Sequence, residues 1–150
     1  DMWGFCESQE TVSVDPELFA EFVLPYQMPI LERFGLNCYG CCEGLDLRWD
    51  YIRHIPNLRR VSVSPWANEA KMAEQLGKDY IWSRKLNPAK LAIADMDTDS
   101  VREELRTALK LATANNCVIE LLMKDNNTLG KNPQNVTDWC RIAKEEIEKS

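Results

Sequence analysis

RRVSVSPWANEAKMAEQLGKDYIWS, residues 59–83, carries one complete strand–helix–strand unit. Val61 and Val63 alternate with Ser62 and Ser64, the period-two pattern of a strand over 60–64. A helix is predicted over 65–76, and Gly77 supplies its terminator. A second strand follows over 79–83. Two strands joined by a helix, with no hairpin turn between them, read as a parallel pair with a right-handed crossover.

The same rhythm extends in both directions. Upstream, Asp15-Pro16 sets an N-cap acceptor before a proline at the first helical position. Leu18, Phe19, Phe22, Val23, Tyr26, Ile30 and Leu31 recur at helical spacing as far as Gly35. Pro25 and Pro29 lie inside this helix and predict a kink. A strand over 36–40 leads into Cys38-Tyr39-Gly40-Cys41-Cys42-Glu43, and a helix over 46–54 stops at Pro56-Asn57. Downstream, Asn87-Pro88 starts a helical turn. Ser100-Val101-Arg102-Glu103 has the form of a capping box. It precedes a helix whose buried stripe is Val101, Leu105, Ala108, Leu109 and Ala112. Residues 117–123 are nearly all apolar and read as a central strand buried on both faces. Asn132-Pro133 opens a last helix with Val136, Trp139, Ile142, Ala143 and Ile147 turned inward. Residues 1–5 carry no start signal and read as interior chain.

The count is one leading helix and four strand–helix units, an α/β protein with a parallel sheet in a single domain over 1–150. Four such units form a small open sheet, or half of a (β/α)8 barrel, which takes about 250 residues when whole.

Composition narrows the function. The chain has 150 residues, 45% of them hydrophobic and 28% charged, as in ordinary globular domains. Its net charge is −6 and it has no basic block, which argues against nucleic acid as a partner. The chain has no apolar run of membrane-spanning length and no basic-then-apolar leader at its start. Six cysteines are present, three of them packed into residues 38–42, a spacing unlike a disulfide framework. The thiols therefore read as reduced and the compartment as cytoplasmic. Cys117 and Cys140 read as packing residues.

In parallel α/β proteins the chemistry gathers at the carboxyl ends of the strands. Those positions hold Cys41, Cys42 and Glu43, then Trp66, then Arg84 and Lys85, then Lys124 and Asp125. The segment before the first helix adds Glu7, Gln9 and Glu10. Glu43, Lys85, Lys124 and Asp125 are the candidate catalytic groups. Glu7, Gln9, Glu10, Trp66 and Arg84 are the candidate substrate contacts. Cys38, Cys41 and Cys42 have thiolate spacing suited to a soft metal such as zinc, or to a redox pair. The single histidine, His54, reads as a surface or cap residue, which removes a Ser-His-Asp arrangement; a glycine-rich phosphate loop is also lacking. Of the five tryptophans only Trp66 falls at a strand end, and the others read as packing.

VDPELFAEFVLPYQMPILERFG resembles a helix of the uroporphyrinogen decarboxylase superfamily. LNCYGCCEGL then stands where that family has a strand ending in a short His/Cys-Gly motif. RRVSVSPW, DYIWSRKLNPAKLA and KNPQNVTDW follow in the family's order. The resemblance covers about residues 5–148 and implies the C-terminal half of a (β/α)8 barrel. It also implies porphyrinogen decarboxylation or, through the CYGCCE cluster, corrinoid-linked methyl transfer to a thiol such as coenzyme M. In the methyltransferases zinc is held by a His-x-Cys pair and a distant cysteine. Here Cys41 matches the first cysteine, Tyr39 or Asn37 stands at the histidine, and Met123-Lys124-Asp125-Asn126 replaces the distant cysteine. Cys38, Cys42 and Glu43 are the substitute ligands. The implied partners are a corrinoid protein and the N-terminal half-barrel. The alternative is a non-catalytic half-barrel that associates with itself through its open strands.

Overall fold

A computed structural model describes residues 2–124 and 126–150. Five strands form one sheet in the order β1-β2-β3-β4-β5. They are β1 (Trp3–Cys6), β2 (Leu36–Tyr39), β3 (Leu58–Val63), β4 (Ile81–Leu86) and β5 (Val118–Met123). Every neighbouring pair is parallel. The α/β class and the parallel pairing agree with the sequence reading. The number of strands does not: β1 is a fifth strand, formed by residues that carry no start signal.

The helices are α1 (Pro16–Phe22), α2 (Leu24–Leu31), α3 (Trp49–Ile52), α4 (Glu69–Leu76), α5 (Thr98–Ala114) and α6 (Gln134–Ile147). The anticipated kink is a full break, with Val23 ending α1 and α2 beginning one residue before Pro25. Proline denies the chain an N–H for the helical ladder, so the first turn of a new helix is its natural place. Asp15 caps α1 by accepting from the Glu17 N–H. Asn68, not Pro65, marks the start of α4, its side chain accepting from the Lys71 N–H. The cap of α5 is Asp97, which accepts from the Ser100 N–H, so Ser100 lies inside the helix rather than at its N-cap.

One face of the sheet carries the core. Tyr39, Val61, Val63 and Trp82 are fully buried there, packed with Phe19 and Leu31 from α1 and α2 and with Met72, Ala73 and Leu76 from α4. Leu86, Leu91, Val101, Leu105, Trp139, Ile142 and Ala143 make a second cluster that joins α5 and α6 to the carboxyl end of β4. Burying a large apolar side chain contributes roughly 1.5–3 kcal/mol each. β5 departs from expectation. It is an edge strand, with Val118 48% and Leu122 41% exposed, and so is not buried on both faces.

On the opposite face Trp3, Phe5, Cys38, Arg60, Ser62, Ser83, Lys85 and Leu122 line an open groove of about 400 Å³. Among the described residues no helical residue lines that groove. Among the described residues no helix is long and apolar enough to cross a membrane.

Candidate thiol site at the strand ends

Gly40 sets the geometry of the cysteine loop. Its φ is +96°, and a Cβ there would lie 2.5 Å from Leu45 Cδ1 and 3.2 Å from the Ser62 carbonyl oxygen. Only glycine takes that turn at so close an approach. The turn carries Cys41 and Cys42 over the end of the sheet, with their sulfurs 3.6 Å apart. The Cys41 carbonyl accepts from Ser62 Oγ and from Lys85 Nζ, each at 3.2 Å. Lys124 Nζ, from just beyond β5, donates to Cys42 Sγ at 2.6 Å. Cys41, Cys42, Lys85 and Lys124 are thus brought together from three strand ends.

Glu43 is 1% exposed and holds the loop from beneath. One carboxylate oxygen accepts from the Ser8 N–H and the other from the Cys41 N–H, both at 2.9 Å. The carboxylate ties the cysteine loop to the backbone after β1. Arg48 performs the matching task on the neighbouring loop. It is buried, sits 4.4 Å above the Phe19 ring, and donates to the carbonyls of Thr11 and Val14. Sequence reasoning missed Arg48, whose short helix gives no sign of such a role.

Cys38 lies on the open face, with its side chain half-buried. Burial pushes its thiol up to about 11, only partly opposed by the charges of Arg60 and Lys85. Burial also raises the Cys41 thiol, as does its hydrogen bond with Cys42, while Lys85 works the other way. Beside Cys38 on the open face, Arg60 pairs with Glu120 at 3.0 Å and stacks 5.3 Å from the Trp3 ring. Trp3, Phe5, Arg60 and Glu120 were absent from the sequence-based candidates. Their shared parity with Cys38 and Ser83, on strands of known register, is the signal that places them on this face.

The remaining candidates fall elsewhere. Arg84 points to the helix-covered face, where it is 3% exposed and ion-paired with Glu69 at 2.7 Å and Glu104 at 3.1 Å. It braces α4 and α5 and does not reach the open groove. Glu7 receives the Gln9 N–H, and its carbonyl receives Gln27 Nε2, which ties the loop after β1 to α2. Gln9 and Glu10 are exposed in a 3-10 turn over Gln9–Thr11. Trp66 is 70% exposed just beyond β3, its N–H bonded to Ser64 Oγ. Asp125 lies outside the described residues. His54 is exposed.

The thiol pair suits two of the four ligands of a tetrahedral zinc. Zinc–sulfur bonds of about 2.3 Å imply ligand sulfurs about 3.8 Å apart, close to the separation found. Each Glu43 oxygen already accepts one backbone N–H. Among the described residues no group of three or more His, Cys, Asp or Glu side chains converges as a full site would. No protein-family model, curated protein or solved structure matches the chain at a significant level.

Proposed function

We propose that this chain is half of a uroporphyrinogen decarboxylase-like (β/α)8 barrel of the corrinoid-linked methyltransferase kind. In this reading Cys41 and Cys42 form the thiol centre for methyl transfer to a thiol or related acceptor. One observation carries the reading. Two adjacent sulfurs, with Lys124 Nζ on the Cys42 sulfur and Lys85 Nζ on the Cys41 carbonyl, lie at the carboxyl ends of a sequentially ordered parallel sheet, the place where such folds keep their chemistry.

The chain's own groups divide the work. Cys41 and Cys42 are the pair that would hold zinc, which supplies the Lewis acidity that activates a thiol. Lys85 and Ser62 fix the Cys41 carbonyl, so the loop meets its ligand in one geometry. Lys124 sets a positive charge at the Cys42 sulfur, where an anionic sulfur would need compensation. Glu43 positions the loop and takes no part in the chemistry. The open groove lined by Trp3, Phe5, Ser62, Ser83 and Lys85 leaves that face free for the acceptor, the other half-barrel and a corrinoid protein.

The test is elemental analysis of the purified protein from zinc-replete expression, paired with demethylation of methylcobalamin in the presence of 2-mercaptoethanesulfonate. Near-stoichiometric zinc, lost in Cys41→Ser with an unchanged far-ultraviolet spectrum, is the expected result. A chain that neither contains zinc nor retains it on desalting overturns the thiol-activation mechanism.

A second reading rests on the exposed apolar surface of β1. Trp3 is 47% and Phe5 57% exposed on the face with the open groove, at an open sheet edge. Such a surface also suits self-association of a non-catalytic half-barrel. Sedimentation distinguishes it: a monodisperse monomer at tens of micromolar, unchanged in Phe5→Ser, removes this alternative.

A further inference from the structure

We infer that Cys41 and Cys42 form a chelating site for a monosubstituted trivalent metalloid, an organoarsenical in chemical class, that brings its own third substituent. The inference stands on the sulfur geometry and holds with or without the methyl-transfer reading.

The 3.6 Å between the two sulfurs decides what can bridge them. A disulfide would have to close that gap to about 2.05 Å between residues whose Cα atoms lie about 3.8 Å apart. Unstrained disulfides span about 4.4–6.8 Å between Cα atoms, so direct oxidation of this pair works against the backbone. A linear two-coordinate soft ion with bonds of about 2.3 Å needs sulfurs about 4.6 Å apart, wider than the separation found. A single bridging centre with the same bond length spans the observed gap at an angle of about 103°, which is pyramidal or tetrahedral.

Two protein bonds are what the loop supplies. Both oxygens of Glu43 are bonded to backbone, and the described residues offer no converging group of three ligands. A zinc ion must find its other ligands elsewhere. A monosubstituted arsenical needs none, because carbon fills its third valence and a lone pair completes the pyramid. Both cysteines are only half-buried, so the centre can enter without opening the fold. Glu43, Ser62 and Lys85 hold the Cys41 backbone in place, so little ordering remains to be done on binding.

The reaction is balanced without a redox partner. Phenylarsine oxide plus two thiols gives one dithioarsenite and one water. Two S–H bonds break and two As–S bonds form, the oxygen leaves with both protons, and arsenic stays trivalent. No thiolate persists in the product, so the raised Cys41 thiol is no barrier to its stability.

The test is intact mass spectrometry of the purified chain with one equivalent of phenylarsine oxide, in the presence of a metal chelator. One adduct per chain is expected, mapping to the peptide containing Cys41 and Cys42 and released by 2,3-dimercaptopropanol. Cys41→Ser and Cys42→Ser should each release the arsenical at about a hundredfold lower dithiol concentration, since the second bond is no longer intramolecular. Cys38→Ser, Cys117→Ser and Cys140→Ser should behave as the parent. Mapping of the wild-type adduct to any other cysteine overturns the inference, whether or not the variants fold. So does an adduct of unchanged strength in Cys42→Ser. Because the chelator removes zinc, failure of the zinc test leaves this result untouched, and the converse also holds.

Discussion

Replacing Glu43 by glutamine separates a scaffold role from a catalytic one. The two carboxylate oxygens accept the N–H groups of Ser8 and Cys41 at 2.9 Å each, inside a site that is 1% exposed. A hydrogen bond to a charged group contributes about 1.5–3 kcal/mol, and an unsatisfied buried donor costs about 1–3 kcal/mol. Glutamine keeps one acceptor, now neutral, and turns an NH2 towards the other backbone N–H. The expected loss is about 2–4 kcal/mol. With a urea slope of about 2 kcal/mol per molar, the unfolding midpoint should fall by about 1–2 M. Glu43→Ala should fall at least as far, because both donors lose their partner. Amide exchange gives a local reading: every 1.4 kcal/mol is tenfold, so the Ser8 and Cys41 amides should exchange about 30–700-fold faster where local opening governs them. A midpoint shift below about 0.3 M, with both amides still protected, would refute the anchoring role and return Glu43 to the list of reacting groups.

Two further outcomes follow from the side-chain environments. Burial raises Cys38 from 9.0 to about 11, so at pH 8 its alkylation by iodoacetamide should run roughly a hundredfold slower than that of a free thiol of the lower value. Equal rates, resolved by peptide mapping, would contradict its burial. The second concerns Glu146, which accepts from Arg102 and Arg106 across the α5–α6 contact and is held well below its ordinary 4.5, at about 2. A depressed carboxylate stabilises fully above its unfolded value and loses that contribution as pH falls from about 5 towards 2. Urea midpoints over that range should drop less steeply in Glu146→Gln than in the parent, and parallel profiles would show that the pairs are screened out.

The legible part of the fold was its rhythm. Val61 and Val63 against Ser62 and Ser64 gave β3 its faces as well as its existence, and both valines are fully buried under the helices. β1 was missed because Trp3-Gly4-Phe5-Cys6 is short and has a glycine where strand propensity is weakest. The glycine is demanded from outside the strand: a Cβ there would run into Asn37 Oδ1 and the Phe34 ring. No local pattern reports a contact 33 residues away. Arg84 shows a different gap, between the charge of a residue and its parity on the strand. It shares a face with Trp82 and Leu86, both fully buried, and alternation alone would have turned it towards the helices. Double burial was read into β5 from composition, which cannot tell a central strand from an edge strand with one covered face. At the site, the clustering of Cys38, Cys41 and Cys42 was visible. That Glu43 is spent on backbone, and that Lys124 meets Cys42, depended on loop conformations the sequence does not display.

The sequential strand order bears on how the chain is made as well as on what it holds. Each strand pairs with the one synthesised just before it, over separations of 21 to 37 residues, and no strand has to be inserted later between two already paired. Loop closure over such distances is inexpensive and nearly equal for every unit. As the polypeptide leaves the ribosome at about 5–20 residues per second, β2 can be completed against β1 before β3 exists, and so on outward. The growing edge is then always the newest strand, which stays open to a stranger until the next one pairs with it. A pause in translation after β3 would expose Val61, Val63 and the Cys41–Cys42 loop together, without the helix α4 and the lysines that later enclose them. The order of synthesis therefore protects the thiol loop last, after every strand that supports it is in place.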